Sequence, residues 1–206
     1  MKYIKILFFN ILLFYSSYIQ ADSNFDHTKL ADKLYKPWGI AVLDDDHLLV
    51  TQKSGELFKI NIRSKAKTEI EHNLIVSEYG QGGLLDILYY NEKVYVSYAE
   101  KRDDEKYSTS VAIGELKGSS INFNNIFQSE PPNKSKTHFG SRLEIKNDHL
   151  FVTVGERQTG NLTQELDNHF GKIIRLNLDG SVPVDNPYID IENGLNEIYM
   201  IGLRNP

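Results

Sequence analysis

Over short stretches of this chain apolar and polar residues alternate at every second position, and runs rich in Gly, Asn, Asp and Ser separate the stretches. A period of two is the pleat of a β-strand, and it predicts strands rather than helices. Three passages share one layout. "HLLVTQKSGELFKINI" (47–62) is a strand, a turn at Ser54 and Gly55, and a second strand; "KVYVSYAE" (93–100) with "TSVAIGEL" (109–116), and "HLFVTVGE" (149–156) with "GKIIRLNL" (171–178), repeat the pair. Each first strand ends in Val-Thr or Val-Ser, and each follows another short strand: "WGIAVL", "LLDILYY" and "SRLEI".

Val50, Val96 and Val152 recur at intervals of 46 and 56 residues. Antiparallel units of this size, apolar on both faces, predict an all-β chain built as a β-propeller whose blades bury one another. An ordinary β-sandwich is the competing arrangement. "NEIYMIGLRNP" begins a further strand and meets the end of the sequence at Pro206, so about three blades are expected. Closed propellers have about four to eight.

Residues 1–21 depart from this pattern. Lys2 and Lys5 precede an apolar run from Ile6 to about Tyr15, followed by small and polar residues to Ala21. This reads as a secretory signal peptide, since the run falls short of the roughly 20 residues of a membrane span. The expected organisation is therefore a signal at 1–21 and a partial propeller at 22–206, exported to a periplasm without a stable membrane span.

The remaining composition narrows the chemistry. The net charge of −5 becomes −7 without the signal, which disfavours nucleic-acid binding. No cysteine is present, so disulfides and thiolate metal sites are excluded. An open array of blades also leaves a bare face and free strand edges, which predicts association with other copies.

Histidines and carboxylates are left to carry chemistry. His138, in "THFGSRLEI", stands at a loop-to-strand junction, where an imidazole can act as a general base or simply sit idle. "GQGGLLDI" (80–87) lacks the G-x-G-x-x-G spacing of a dinucleotide turn; its glycines permit a tight turn or close approach, with Gln81 displayed beside them. Arg204 and Asn205 offer a guanidinium and an amide together, suited to carboxylate or quinone oxygens, or to a surface ion pair. His169, in "DNHFGKII", reads as a packing residue at a turn. Asp44, Asp45 and Asp46 read as a solvated turn rather than a calcium loop. No histidine pair has zinc spacing, and no metal ligand is assigned.

The ordered motifs "PWGIAVL", "GQGGLLDI", "HFGSRLEI", "FVTVGER", "LDNHFGKIIRLNLDGSVPVDNP" and "EIYMIGLRNP" resemble those of the soluble, pyrroloquinoline quinone (PQQ) dependent aldose sugar dehydrogenases of the glucose/sorbosone dehydrogenase family, from about residue 35 to Pro206. The resemblance implies a six-bladed propeller that holds PQQ and oxidises the anomeric carbon of aldoses to lactones, passing electrons to an acceptor not identifiable here. Carried over residue by residue, it implies that His138 is the catalytic base, that Gln81 lies at the sugar pocket, and that Arg204 and Asn205 contact the quinone.

Two departures qualify the match. Thr137 stands where the glucose dehydrogenase branch has an aspartate, so a carboxylate that tunes His138 must come from elsewhere. The family's calcium ligands and remaining PQQ contacts fall in sequence after R-N-P, so calcium is expected with ligands beyond Pro206. A calcium-dependent propeller lactonase and a non-catalytic carbohydrate-binding module are the alternatives.

Overall fold

The computed structural model describes residues 27–206. The signal-peptide reading of residues 1–21 lies outside them. Among the described residues fourteen strands build three sheets, each with an antiparallel meander of four main strands. The first blade contains β1 (Pro37–Asp44), β2 (His47–Gln52), β3 (Leu57–Asn61) and β4 (Lys67–His72). The second contains β5 (Leu84–Tyr90), β6 (Lys93–Lys101) and β7 (Tyr107–Gly114). Before its fourth strand, a hairpin of β8 (Leu116–Lys117) and β9 (Ser120–Ile121) leaves the blade and pairs in parallel with β4, covering the outer edge of the first blade. The second blade then closes with β10 (Asn124–Gln128). The third is β11 (Gly140–Lys146), β12 (His149–Val154), β13 (Lys172–Asn177) and β14 (Ile198–Met200). The sequence-predicted further strand is thus short and belongs to the third blade; residues 201–206 leave the sheet.

The alternation seen in sequence becomes two packed layers. Along β6, Val94, Val96 and Tyr98 face the first blade, meeting Leu49, Leu57 and Ile70. Tyr95, between them, turns to the third blade and packs with Leu150, Val152, Ile174 and Ile198. The middle blade is therefore apolar on both faces. Ile174 is fully buried, and its truncation to alanine would cost about 2–5 kcal/mol.

The blades are also joined by a repeated polar device. The register of each first strand shifts between Pro37 and Ile40, between Leu84 and Ile87, and between Gly140 and Leu143, freeing one N–H per blade. A hydroxyl on each second strand accepts it: Gly39 N–H to Thr51 Oγ1 (2.8 Å), Asp86 N–H to Ser97 Oγ (3.0 Å) and Arg142 N–H to Thr153 Oγ1 (2.9 Å). Each hydroxyl then donates to a carbonyl in the following segment: Thr51 to Leu85 (2.6 Å), Ser97 to Ser141 (2.6 Å) and Thr153 to Pro206 (3.0 Å). Pro206 thus stands to the third blade as Leu85 stands to the first. This chain of bonds fixes the angle between neighbouring first strands and carries the loops before them to one rim.

Candidate functional site

Four backbone segments meet at that rim: the glycine turn 80–83, residues 135–140 before β11, residues 155–157 after β12, and residues 202–206. Glycine lets them touch. A Cβ on Gly80 would overlap the carbonyl of Lys136, and one on Gly155 would overlap the carbonyl of His138.

His138 lies at φ +55°, a left-handed conformation uncommon outside glycine. Its N–H donates to Gln81 Oε1 at 2.7 Å. Its Nδ1 closely contacts Glu156 Oε1, and the carboxylate is almost wholly buried. A carboxylate only accepts, so Nδ1 carries a proton, and in the neutral ring Nε2 then keeps its lone pair. Among the described residues Nε2 has no hydrogen-bond partner, and the side chain retains 16% of its exposure.

The other sequence-predicted residues join the same network. Asn205 Oδ1 accepts the Gly140 N–H at 2.9 Å, which leaves its Nδ2 to donate elsewhere. The Arg204 carbonyl accepts the Glu156 N–H at 2.7 Å, while its side chain is exposed and takes part in no ion pair among the described residues. Gln81, with Oε1 occupied, likewise presents Nε2. A depression of about 220 Å³ opens between Trp38, Lys53, Gln81, Phe139 and Asn205. Lys53 Nζ donates there to the Gly80 carbonyl at 2.7 Å.

Two buried cations flank the corner, and among the described residues neither forms an ion pair with a carboxylate. The Arg157 guanidinium, 2% exposed, is pushed down to about 10 by burial. Lys172 is fully buried; its ammonium is pushed down to about 8 by burial and donates to the carbonyls of Leu162, Thr163 and Phe170 at 2.7–3.3 Å. Lys172 thereby ties down the long connection from β12 to β13, whose Thr163 carbonyl in turn accepts the Gly202 N–H.

The remaining histidines sit elsewhere. His169 is buried between the Glu130 N–H and Glu197. His47 bonds Asp44 and Asn61, His72 bonds the Gly55 carbonyl, and His149 bonds the Asn147 carbonyl. Asp45 and Asp46 form the β1–β2 turn. Among the described residues no group of three or more His, Asp or Glu converges as a metal site.

Sequence reading assigned nothing to Glu156, Arg157 or Lys53. For Glu156 a signal existed. Gly140 pairs with Val154, and continuing that register two residues past the sheet places 138 opposite 156. The tight turn at Asn147 and Asp148, both left-handed, pairs Lys146 with His149, and the one-residue bulge between Gly140 and Leu143 then shifts the register to Gly140–Val154. The tuning carboxylate missing at Thr137 is supplied from the partner strand's extension.

Comparison with known proteins bears on the family and the fold. The model of the Glucose / Sorbosone dehydrogenase family matches residues 34–206. The aldose sugar dehydrogenase YliI of Escherichia coli is 34% identical over 187 residues, covering 86% of this chain and 50% of that protein. Quinoprotein glucose dehydrogenase B of Acinetobacter calcoaceticus is 28% identical, covering 93% and 47%. The crystal structure of the soluble E. coli aldose sugar dehydrogenase in its apo form superposes with a TM-score of 0.82 at 35% identity, covering 85% of this chain and 54% of that one. The PQQ-bound aldose sugar dehydrogenase of Streptomyces coelicolor gives 0.71 at 25% identity, covering 86% and 54%. This chain thus spans about half the length of the relatives it matches, and its three sheets are blades of their β-propeller. Matched over nearly all its described length, the chain belongs to the glucose/sorbosone dehydrogenase family.

Proposed function

We propose that this chain carries the base and part of the cofactor cradle for PQQ-dependent oxidation of aldose sugars at the anomeric carbon, giving lactones. One observation supports it above the rest: His138 is anchored through Nδ1 to a buried carboxylate and presents a bare Nε2 at the rim where Gln81, Arg204 and Asn205 meet.

The donor set suits PQQ, an anionic planar quinone. Arg204 offers an exposed guanidinium, and Asn205 and Lys53 offer N–H donors. Glu156, the carboxylate beside His138, is engaged by it. Arg204 and Asn205 would hold the quinone. When bound, PQQ supplies a two-electron acceptor for the hydrogen leaving the sugar carbon.

The residues of the chain do the rest. Nε2 of His138 takes the proton of the anomeric hydroxyl as its carbon is oxidised. Glu156 fixes the tautomer and stabilises the imidazolium that results. Gln81 Nε2 donates to a sugar oxygen and orients the hydroxyl toward His138. The guanidinium of Arg204 balances negative charge developing beside it. Calcium and export to a periplasm belong to the same reading, drawn from the family resemblance and the N-terminal pattern, and self-association is drawn from free strand edges.

The test is a PQQ titration of the purified protein, with calcium, followed by dye reduction with several aldoses. Saturable, PQQ-dependent oxidation is expected, and Arg204→Ala should weaken PQQ retention as well as turnover, with added PQQ restoring part of the rate. Calcium-dependent lactone hydrolysis with no dye reduction would favour the hydrolase alternative instead.

A further inference from the structure

Arg157 has more contacts than a surface cation needs and, among the described residues, no anion to pair with. Its Nε donates to the Thr137 carbonyl (3.2 Å), one terminal nitrogen to the Tyr107 carbonyl (3.2 Å), and the other to the Ser135 carbonyl (2.5 Å). The guanidinium plane also lies 3.6 Å from the centre of the Phe139 ring. Arg157 and Phe139 are each only 2% exposed. Burying an unpaired charge is costly, so the contacts that hold it must be of value to the fold or to the site.

The Thr137 carbonyl belongs to the peptide that joins Thr137 to His138. The N–H of that same peptide is the one held by Gln81 Oε1. One peptide plane is therefore gripped at both ends, by Arg157 on its oxygen and by Gln81 on its hydrogen. Beyond it, His138 occupies a left-handed conformation that costs of the order of 1 kcal/mol or more for a residue with a side chain. Released, the backbone would relax toward negative φ and swing the imidazole away from Glu156. Phe139, under the guanidinium, closes the other side of the same residue.

We propose that Arg157 is a positioning residue for His138: it clamps the 137–138 peptide and the neighbouring carbonyls so that the imidazole keeps Nδ1 on Glu156 and Nε2 facing the rim. The importance of that orientation to catalysis rests on the function proposed above; the clamp itself does not. Fixing a base by gripping its peptide, rather than its ring alone, leaves Nε2 free of protein contacts.

The test uses histidine-labelled protein without cofactor, with the imidazoles neutral, and reads the ring ¹⁵N shifts that report which nitrogen carries the proton. His138 should appear as the Nδ1–H tautomer, assigned by its loss in His138→Gln, and His169 as the Nε2–H tautomer. In Arg157→Lys and Arg157→Met, His138 should revert to the tautomer mixture of a free imidazole while His169 is unchanged and unfolding stays cooperative. With PQQ and aldose, kcat should fall about tenfold or more with little change in KM. Unchanged His138 shifts in both variants would overturn the proposal. So would loss of both histidine signatures in both variants, which would assign the guanidinium to the whole fold. If the unaltered protein oxidises no aldose while the His138 tautomer still depends on Arg157, the sugar-oxidation reading falls and the clamp stands.

Discussion

His138 and His169 are built from the same parts and end in opposite states. Each imidazole bonds a glutamate carried on or near the third blade, Glu156 for one and Glu197 for the other. At His169 both nitrogens are used: Nδ1 accepts the Glu130 N–H at 2.8 Å and Nε2 donates to Glu197 at 3.0 Å. The ring lies edge-on to Phe127 and is 2% exposed. At His138 the carboxylate holds Nδ1, the nitrogen nearer the backbone, and Nε2 looks outward. A histidine–carboxylate pair is therefore not by itself a catalytic sign. What separates the two is which nitrogen the carboxylate takes and whether the other nitrogen is left bare.

The largest expected effect attacks the bare nitrogen. In the PQQ-loaded protein, His138→Gln should keep the fold and PQQ binding but lower aldose turnover by about 10² to 10⁴. Dye-linked oxidation at matched PQQ occupancy measures it; turnover near that of the unaltered protein would make His138 another His169.

Glu156→Gln is expected to cost less, about 10- to 100-fold in turnover, because the amide can still accept from Nδ1 but no longer balances the imidazolium. Steady-state rates with KM measured separately would show the loss in kcat.

His169→Gln should move the other quantity. Removing a buried, doubly bonded ring should destabilise the fold by about 1–3 kcal/mol, read as a lower urea midpoint, with turnover per folded molecule little changed. A fall in turnover comparable to that of His138→Gln would erase the contrast.

The smallest effect lies in acid. The hydrogen bond from His169 holds the Glu197 carboxyl below its ordinary value of 4.5, so its stabilisation is fully present above that pH and is lost as pH falls through the lower folded value. Glu197→Gln should therefore lower stability near neutrality, where the ionised carboxylate holds its bond, and flatten the acid side so that the two proteins converge toward pH 3, as thermal melts from pH 3 to pH 7 would show.

How much of this was legible in the sequence differs between fold and site. The period-two alternation announced the strands, and the spacing of Val50, Val96 and Val152 announced the blades, because burial on both faces demands apolar residues on both sides of the pleat. The short outer strands were harder to see. β4 reads "KTEIEH", with only Ile70 buried, and β14 is three residues long. The recurrent Val-Thr and Val-Ser endings were visible as a repeat, yet their hydroxyl bridges between blades were not, since each bridge spans 34 to 53 residues.

The sequence by itself determined the all-β character, the repeating blade, the absence of thiol chemistry and the order of motifs that named His138, Gln81, Arg204 and Asn205. These rest on local pattern and composition, which are complete in one dimension. Tertiary structure decided that Glu156 bonds Nδ1 of His138, that Gln81 and Arg157 grip one peptide from opposite sides, and that His169 is saturated while His138 is not. Those facts depend on the direction of single donors and acceptors brought together from separate blades, and a hydrogen bond is fixed by distance and angle in space rather than by residue type.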